Sequence, residues 1–269
     1  MLIFITWDVS PELFSLGNFT LRWYSLLMAV AFLICYSISI RMVKREGYTA
    51  KIQENGTIYF VAGLIIGARL GHCFFYEPAF YLQHPLAILQ VWKGGLSSHG
   101  AVLGIMGGMY LYSLKVKVPW FWFIDKLAVV FILAGFFVRL GNLMNSEAFG
   151  VQTDLPWGFI FVRRGEDFAR HPAQLYESLA YLFLFLWLYF AHQRQWNRVR
   201  PGYFTGLSFL AVFSTRFFIE FVKEAPPVLD GFLSLNTGQL LSLPLVAAGA
   251  FLIMKRKRKV TIRKNSTPE

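Results

Sequence analysis

Apolar residues in this chain run in long blocks separated by short polar stretches, with neither the stripe of a surface helix nor the alternation of a half-buried strand. A bilayer's hydrocarbon layer takes about 20 residues of helix at 1.5 Å each. Seven blocks reach that length: Leu21 to Ile40, Thr57 to Tyr76, Gly95 to Leu114, Phe123 to Met144, Gln174 to Ala191, Tyr203 to Val222 and Thr237 to Met254. The second, third and fourth are interrupted by glycines or polar groups. The pattern predicts an all-α integral membrane protein with seven transmembrane helices, forming a single transmembrane domain over 1–269. Residues 1–20 lack the positive n-region of a signal peptide and carry Pro11 and acids, which fits an interfacial N-terminal segment. Residues 145–173 make one long loop and 255–269 a basic tail.

Charge gives the orientation. Lys and Arg follow the first span (Arg41, Lys44, Arg45, Lys51), the third (Lys115, Lys117), the fifth (Arg194, Arg198, Arg200) and the seventh (KRKRK from Lys255). The positive-inside rule makes that side cytoplasmic, with the N-terminus outside and the C-terminus inside. Arg163, Arg164 and Arg170 run against the count, but they share their loop with Glu166 and Asp167.

Composition agrees: 56% hydrophobic, 18% aromatic and 15% charged residues belong to the membrane class. The net charge of +11 is that of the loops, and no basic stripe with interleaved aromatics points to nucleic acid. Cys35 and Cys73 lie inside apolar runs, where cysteine is ordinarily a small hydrophobe. The histidines show no HxxxH or HExxH spacing, so no metal is expected.

Against this background, ionisable groups inside apolar runs mark candidate function. Arg139, Asn142 and Glu147 lie in RLGNLMNSEAFG, and Arg69, His99, Arg216 and Glu220 interrupt other spans. Helix rise places Arg69, Arg139 and Arg216 about 20 to 24 Å beyond the cytoplasmic starts of their spans. His99 lies about 9 Å past Lys93 from the other side, and Tyr24 near the outer start of the first span. Five spans thus bring polar groups to one depth, in the outer half of the bilayer. At 100° per residue Arg139, Asn142 and Ser146 share one face, and Arg216 and Glu220 are spaced to pair.

Each feature also has a plainer reading. The glycines of the third span fit a helix-packing face. His99 fits a structural hydrogen bond as well as a proton-transfer role. Arg216 with Glu220 fits a neutralised pair, and Arg69 can snorkel outward along its stem. Arginines without a matching cluster of carboxylates suggest an anionic ligand, and a phospholipid headgroup is the anion at hand. Ser98 and His99 do not make a serine-protease site, because adjacent residues diverge on a helix and no GxSxG is present.

The segment Arg139 to Gly150 resembles the signature of prolipoprotein diacylglyceryl transferases. RWYS at Tyr24, GARLGH at Arg69, GGLSSHG at His99, RHPAQLYE from Arg170 to Glu177 and TRFFIEF at Arg216 resemble further blocks of that family, in order. Leu143, Met144 and Ser146 are conservative departures from its pattern. The resemblance implies a bacterial inner-membrane enzyme that moves the diacylglyceryl group of phosphatidylglycerol to the lipobox cysteine of a prolipoprotein, releasing glycerol phosphate without a cofactor. For that reaction His99 is the candidate base, with Tyr24 as the alternative or its orienting partner, and Arg139 and Arg216 would bind the phosphate. Asn142, Glu147, Gly150, Glu220 and Arg69 would shape the substrate site. The competing expectation is a membrane transporter that binds an anionic phospholipid without chemistry.

Overall fold

The computed structural model of the chain describes residues 4–17, 19–224 and 235–254. The basic tail from Lys255 lies outside them. The described residues form the helices α1 (Trp23–Arg45), α2 (Ala50–Phe75), α3 (Pro78–Gln83), α4 (Ser98–Val116), α5 (Trp120–Met144), α6 (Ala173–Gln195), α7 (Tyr203–Ile219) and α8 (Thr237–Met254). Six are long and apolar enough to cross a membrane: α1, α2, α5, α6, α8, and α7 with the turn that extends it to Val222. The protein is therefore a helical membrane protein. The predicted third span is the one not among the six: α4 forms over 19 residues, but Ser98, His99, Lys115 and its glycines dilute its hydropathy. Helix α2 begins earlier than its apolar block because Lys51, Gln53 and Glu54 suit a helix as well as apolar residues do.

Among the described residues four short strands accompany the helices: β1 (Ile5–Trp7), β2 (Glu12–Leu16), β3 (Phe19–Arg22) and β4 (Phe159–Phe161). Runs of three to five residues carry too little alternation to stand out in a sequence. Contacts divide the described residues into two compact units, one lying within 4–39 and 126–254, the other 40–125.

In the second unit α2 and α4 meet through glycine. A Cβ added at Gly63, Gly67 or Gly71 would collide with the backbone of Gly104 or Gly100, and one at Gly108 with the Tyr59 carbonyl. Rising numbers on α2 meet falling numbers on α4, so the pair is antiparallel. Small residues every fourth position let the backbones touch, and dispersion then does what the hydrophobic effect cannot do in lipid. The glycine run of the third span is thus a packing face.

In the first unit α7 and α8 approach at Gly206 and Gly249, and Gly135 of α5 receives the Tyr181 ring of α6. Beyond the ends of α5 and α6, β1 pairs in parallel with β4. Phe159, Phe161 and Leu143 form a small core there with Trp7, Phe149 and Leu175, and Trp7 Nε1 donates to the Leu143 carbonyl at 3.1 Å. The 145–173 loop is accordingly a folded cap over the end of α5. Strands β2 and β3 form an antiparallel hairpin leading into α1.

Candidate active site

The site begins where α5 ends. Ser146 takes a left-handed conformation, φ 53°. Its N–H donates to the Leu143 carbonyl at 3.0 Å, and the Glu147 N–H reaches back to the Asn142 carbonyl at 3.0 Å. These are the two bonds of a Schellman C-cap, with serine where glycine is usual. The helix therefore stops before Ser146, and Ser146 does not share the helical face of Arg139 and Asn142. The 100° rule assumes that α5 continues, and the cap ends it. The reversal instead brings Glu147 back over Asn142, whose Nδ2 donates to Glu147 Oε1 at 2.8 Å, joined by Asn145 Nδ2 at 3.2 Å.

Asn142 Oδ1 in turn accepts from Arg139 Nη1 at 3.3 Å. Arg139 Nε lies 2.9 Å from Glu177 Oε2 of α6, an ion pair whose N–H is not aligned for a hydrogen bond. Glu177 is fully buried. Its other oxygen is 3.5 Å from Lys223 Nζ, and the same ammonium lies 3.4 Å from Glu220 Oε2. Glu220, buried at the end of α7, stands 4.0 Å from Arg216 Nε. One chain of contacts thus joins Glu147, Asn142, Arg139, Glu177, Lys223, Glu220 and Arg216. Glu177 and Tyr181 are one turn apart on α6, and the Tyr181 hydroxyl also meets the Arg139 side chain. Each arginine does have a matching carboxylate: Glu220 beside Arg216, as the spacing suggested, and Glu177 beside Arg139, which the sequence reading did not assign. Among the described residues they leave parts of each guanidinium free, since Glu177 and Glu220 approach the Nε side.

The rest of the frame is backbone. Lys223 is extended and bridges Gly150 in an antiparallel pair. A Cβ on Gly150 would strike the Val222 carbonyl and come within 2.7 Å of His171 Cβ. Glycine is required there by close approach, and what it admits is the strand that carries Lys223. Behind Glu220, α8 begins with a capping box: Asn236 Oδ1 accepts from the Gln239 N–H and Gln239 Oε1 from the Asn236 N–H, both at 3.0 Å. Gly238 lies directly against the Glu220 carboxylate, so that anion sits at the positive end of α8's dipole. Tyr24 of α1 packs its ring on Gly141, where a Cβ would come within 2.6 Å.

Arg69 and His99 belong to the second unit. Arg69 is buried, and its Nε, Nη1 and Nη2 donate to the carbonyls of Ile88 (2.9 Å), Gly94 (2.7 Å), Gly95 (3.3 Å) and Ala87 (2.6 Å), with Tyr81 under the guanidinium. It clamps the 85–95 segment to α2 rather than snorkelling. His99 is exposed near the start of α4, and among the described residues its imidazole has no hydrogen-bond partner.

The chain matches the family described as prolipoprotein diacylglyceryl transferase over residues 11–255. It is 41% identical to the phosphatidylglycerol--prolipoprotein diacylglyceryl transferase of Chloroherpeton thalassium over 98% of each chain. The enzymes of that name from Porphyromonas gingivalis (41%, 98% of each chain) and Bacteroides fragilis (38%, 98% of this chain and 99% of the other) are comparably similar. This chain belongs to the family.

Sequence reading missed Glu177, Lys223, Tyr181 and the Asn236–Gln239 cap in this family member. Glu177 closes the RHPAQLYE block and opens a span, where a carboxylate looks interfacial. Lys223 follows a span, where a lysine looks like a topology anchor. The same block also builds the cap over α5. Arg170 pairs with Glu166 at 2.7 and 3.2 Å and lies against Phe149 and Phe168. Trp157 Nε1 donates to the Tyr176 hydroxyl at 2.9 Å, and that hydroxyl lies 3.2 Å from His171 Nδ1. The phenol can then donate to an unprotonated Nδ1, in keeping with a His171 pKa that burial lowers.

Proposed function

We infer that the Arg139–Glu177–Lys223–Glu220–Arg216 network is the phosphate-binding centre of a diacylglyceryl transferase acting on phosphatidylglycerol. The chain is a transferase of lipoprotein biosynthesis, as its relatives are named; it carries diacylglyceryl from phosphatidylglycerol to prolipoprotein. The single observation that carries the site assignment is the pair of guanidinium groups, each held on its Nε side by a buried carboxylate. Such groups meet a phosphodiester with their remaining N–H donors in a fixed direction.

In the reaction a lipobox cysteine thiolate attacks the glyceryl carbon that carries the phosphate. A C–S bond forms, the C–O bond breaks with its electrons going to oxygen, and glycerol phosphate departs. Arg139 and Arg216 stabilise the charge that develops on the leaving phosphate. Asn142, with Glu147 behind it, fixes Arg139. A free thiol, with pKa about 8.5, needs a base. His99 is that base by its chemistry, exposed and without a hydrogen-bond partner among the described residues. Tyr24, seated on Gly141 next to Asn142, is the alternative.

The enzyme sits in the bacterial inner membrane with seven spans, its N-terminus outside, its C-terminus cytoplasmic and its phosphate centre toward the outer leaflet. Supporting a count of seven, α4 is about 28 Å long at 1.5 Å per residue and packs along α2 by its glycine face. The experiment is turnover by the purified protein with phosphatidylglycerol and a lipobox peptide, comparing the parent with His99→Gln. Diacylglyceryl peptide and glycerol phosphate should form one to one. His99→Gln should lose about 100-fold or more, with part recovered at higher pH as the free thiolate fraction grows. Lipid binding without product would refute the enzyme; a fully active His99→Gln would pass the base to Tyr24.

A further inference from the structure

Among the described residues three cations and two carboxylates make the network, and the count is uneven by one. Arg139, Lys223 and Arg216 alternate with Glu177 and Glu220, leaving a single net positive charge. Glu147 stands apart, being exposed and joined to Arg139 only through the Asn142 amide. Lys223 is engaged by the carboxylates on both of its sides. Its ammonium lies between two buried carboxylates, and its side chain is only 13% exposed. Its backbone is fixed by the Gly150 bridge and by the Val151 N–H donating to the Val222 carbonyl at 2.9 Å. The sequence around Gly150 therefore serves to bring one cation to a buried place.

We propose that Lys223 sets the net charge of the phosphate centre at +1, matched to a phosphodiester and mismatched to the phosphomonoester product. This rests on the phosphate reading above. A phosphodiester carries one negative charge and neutralises the centre. A phosphomonoester carries about −1.5 to −2 at neutral pH and overfills it, so the same charge that admits substrate disfavours retention of product. Without Lys223 the arginines and carboxylates cancel, and Glu177 and Glu220 face a bound phosphate with one less cation to hold them. Without the Glu177 charge the centre gains one more positive charge and should hold the dianion. In a half-buried site a unit charge a few ångströms away changes affinity by about tenfold or more.

The test is binding of glycerol phosphate to the full-length protein in lipid nanodiscs, alongside turnover with phosphatidylglycerol and lipobox peptide. Lys223→Gln should weaken glycerol phosphate binding about tenfold and raise the KM for phosphatidylglycerol, and Lys223→Arg should restore both. Glu177→Gln should shift binding in the opposite direction, tightening it about tenfold and making the product a stronger inhibitor of the turnover that remains. A purely structural Lys223 would weaken binding in both variants or in neither, and either result overturns the proposal. Should Lys223→Gln not fold, the sign of the Glu177→Gln shift decides alone. The two readings fail differently: a parent protein that yields no lipidated peptide refutes the transfer reaction, whereas an active parent with same-sign shifts refutes only the role of Lys223.

Discussion

Arg139 is directed by three chemistries at once: the Glu177 carboxylate, the Asn142 amide and the Tyr181 phenol. A guanidinium can satisfy these and still offer donors to a phosphate, because its five N–H groups lie in one rigid plane. An ammonium cannot. Arg139→Lys keeps the charge and loses the fork, and we expect kcat to fall about 100-fold or more while the protein still purifies folded in the membrane. Near-normal turnover would mean the centre needs only positive charge. Arg139, Asn142, Glu147, Arg216 and Glu220 were legible in the sequence because each breaks an apolar run, where a polar group needs a reason. Glu177 and Lys223 were not, since both stand at span ends where charge is ordinary. Burial, which distinguishes them, depends on how α6 and the Gly150 strand pack, and no local pattern states that.

At the scale of elements, the apolar blocks and their loops were readable, whereas the cap over α5 was not. Its strands are three residues each and pair across more than 150 positions of sequence, so their stability comes from contacts that no window contains. The glycine face lies between these extremes, visible as spacing but ambiguous in purpose until α2 is seen against α4. It also supplies its own control. A Cβ at Gly104 would collide with the Gly63 carbonyl, while one at Gly107, on the same helix, meets nothing within 4 Å. Gly104→Ala should therefore push the helices apart and lower the thermal midpoint in detergent, at a cost of about 1–3 kcal/mol. Gly107→Ala should leave the midpoint unchanged or slightly raised, since alanine is the better helix former. Equal effects would mean that the glycines act through helix propensity and not through contact.

For the whole molecule, the open quantity is whether α4 crosses, and charge decides it by parity. If α4 crosses, the basic stretches at 41–51, 115–117, 194–200 and after Met254 all fall on one side of the membrane. If it does not, every segment before α4 changes side relative to those after it, and Arg41, Lys44, Arg45 and Lys51 come to lie opposite Arg194, Arg198 and Arg200. Short loops with that split oppose the rule that orients multi-span proteins, and α4 is too long to leave in an apolar environment without a partner, which α2 provides. The two cases are separable with one cysteine. In a background with Cys35→Ala and Cys73→Ala, a reporter fused after Met254 should be cytoplasmic, and a cysteine in the 152–170 loop should label from outside in either case. Lys51→Cys, at an exposed position at the start of α2, tells them apart. With seven spans it is protected in intact cells and labels only after the membrane is opened. Labelling from outside would remove α4 from the spanning set and place the N-terminus in the cytoplasm.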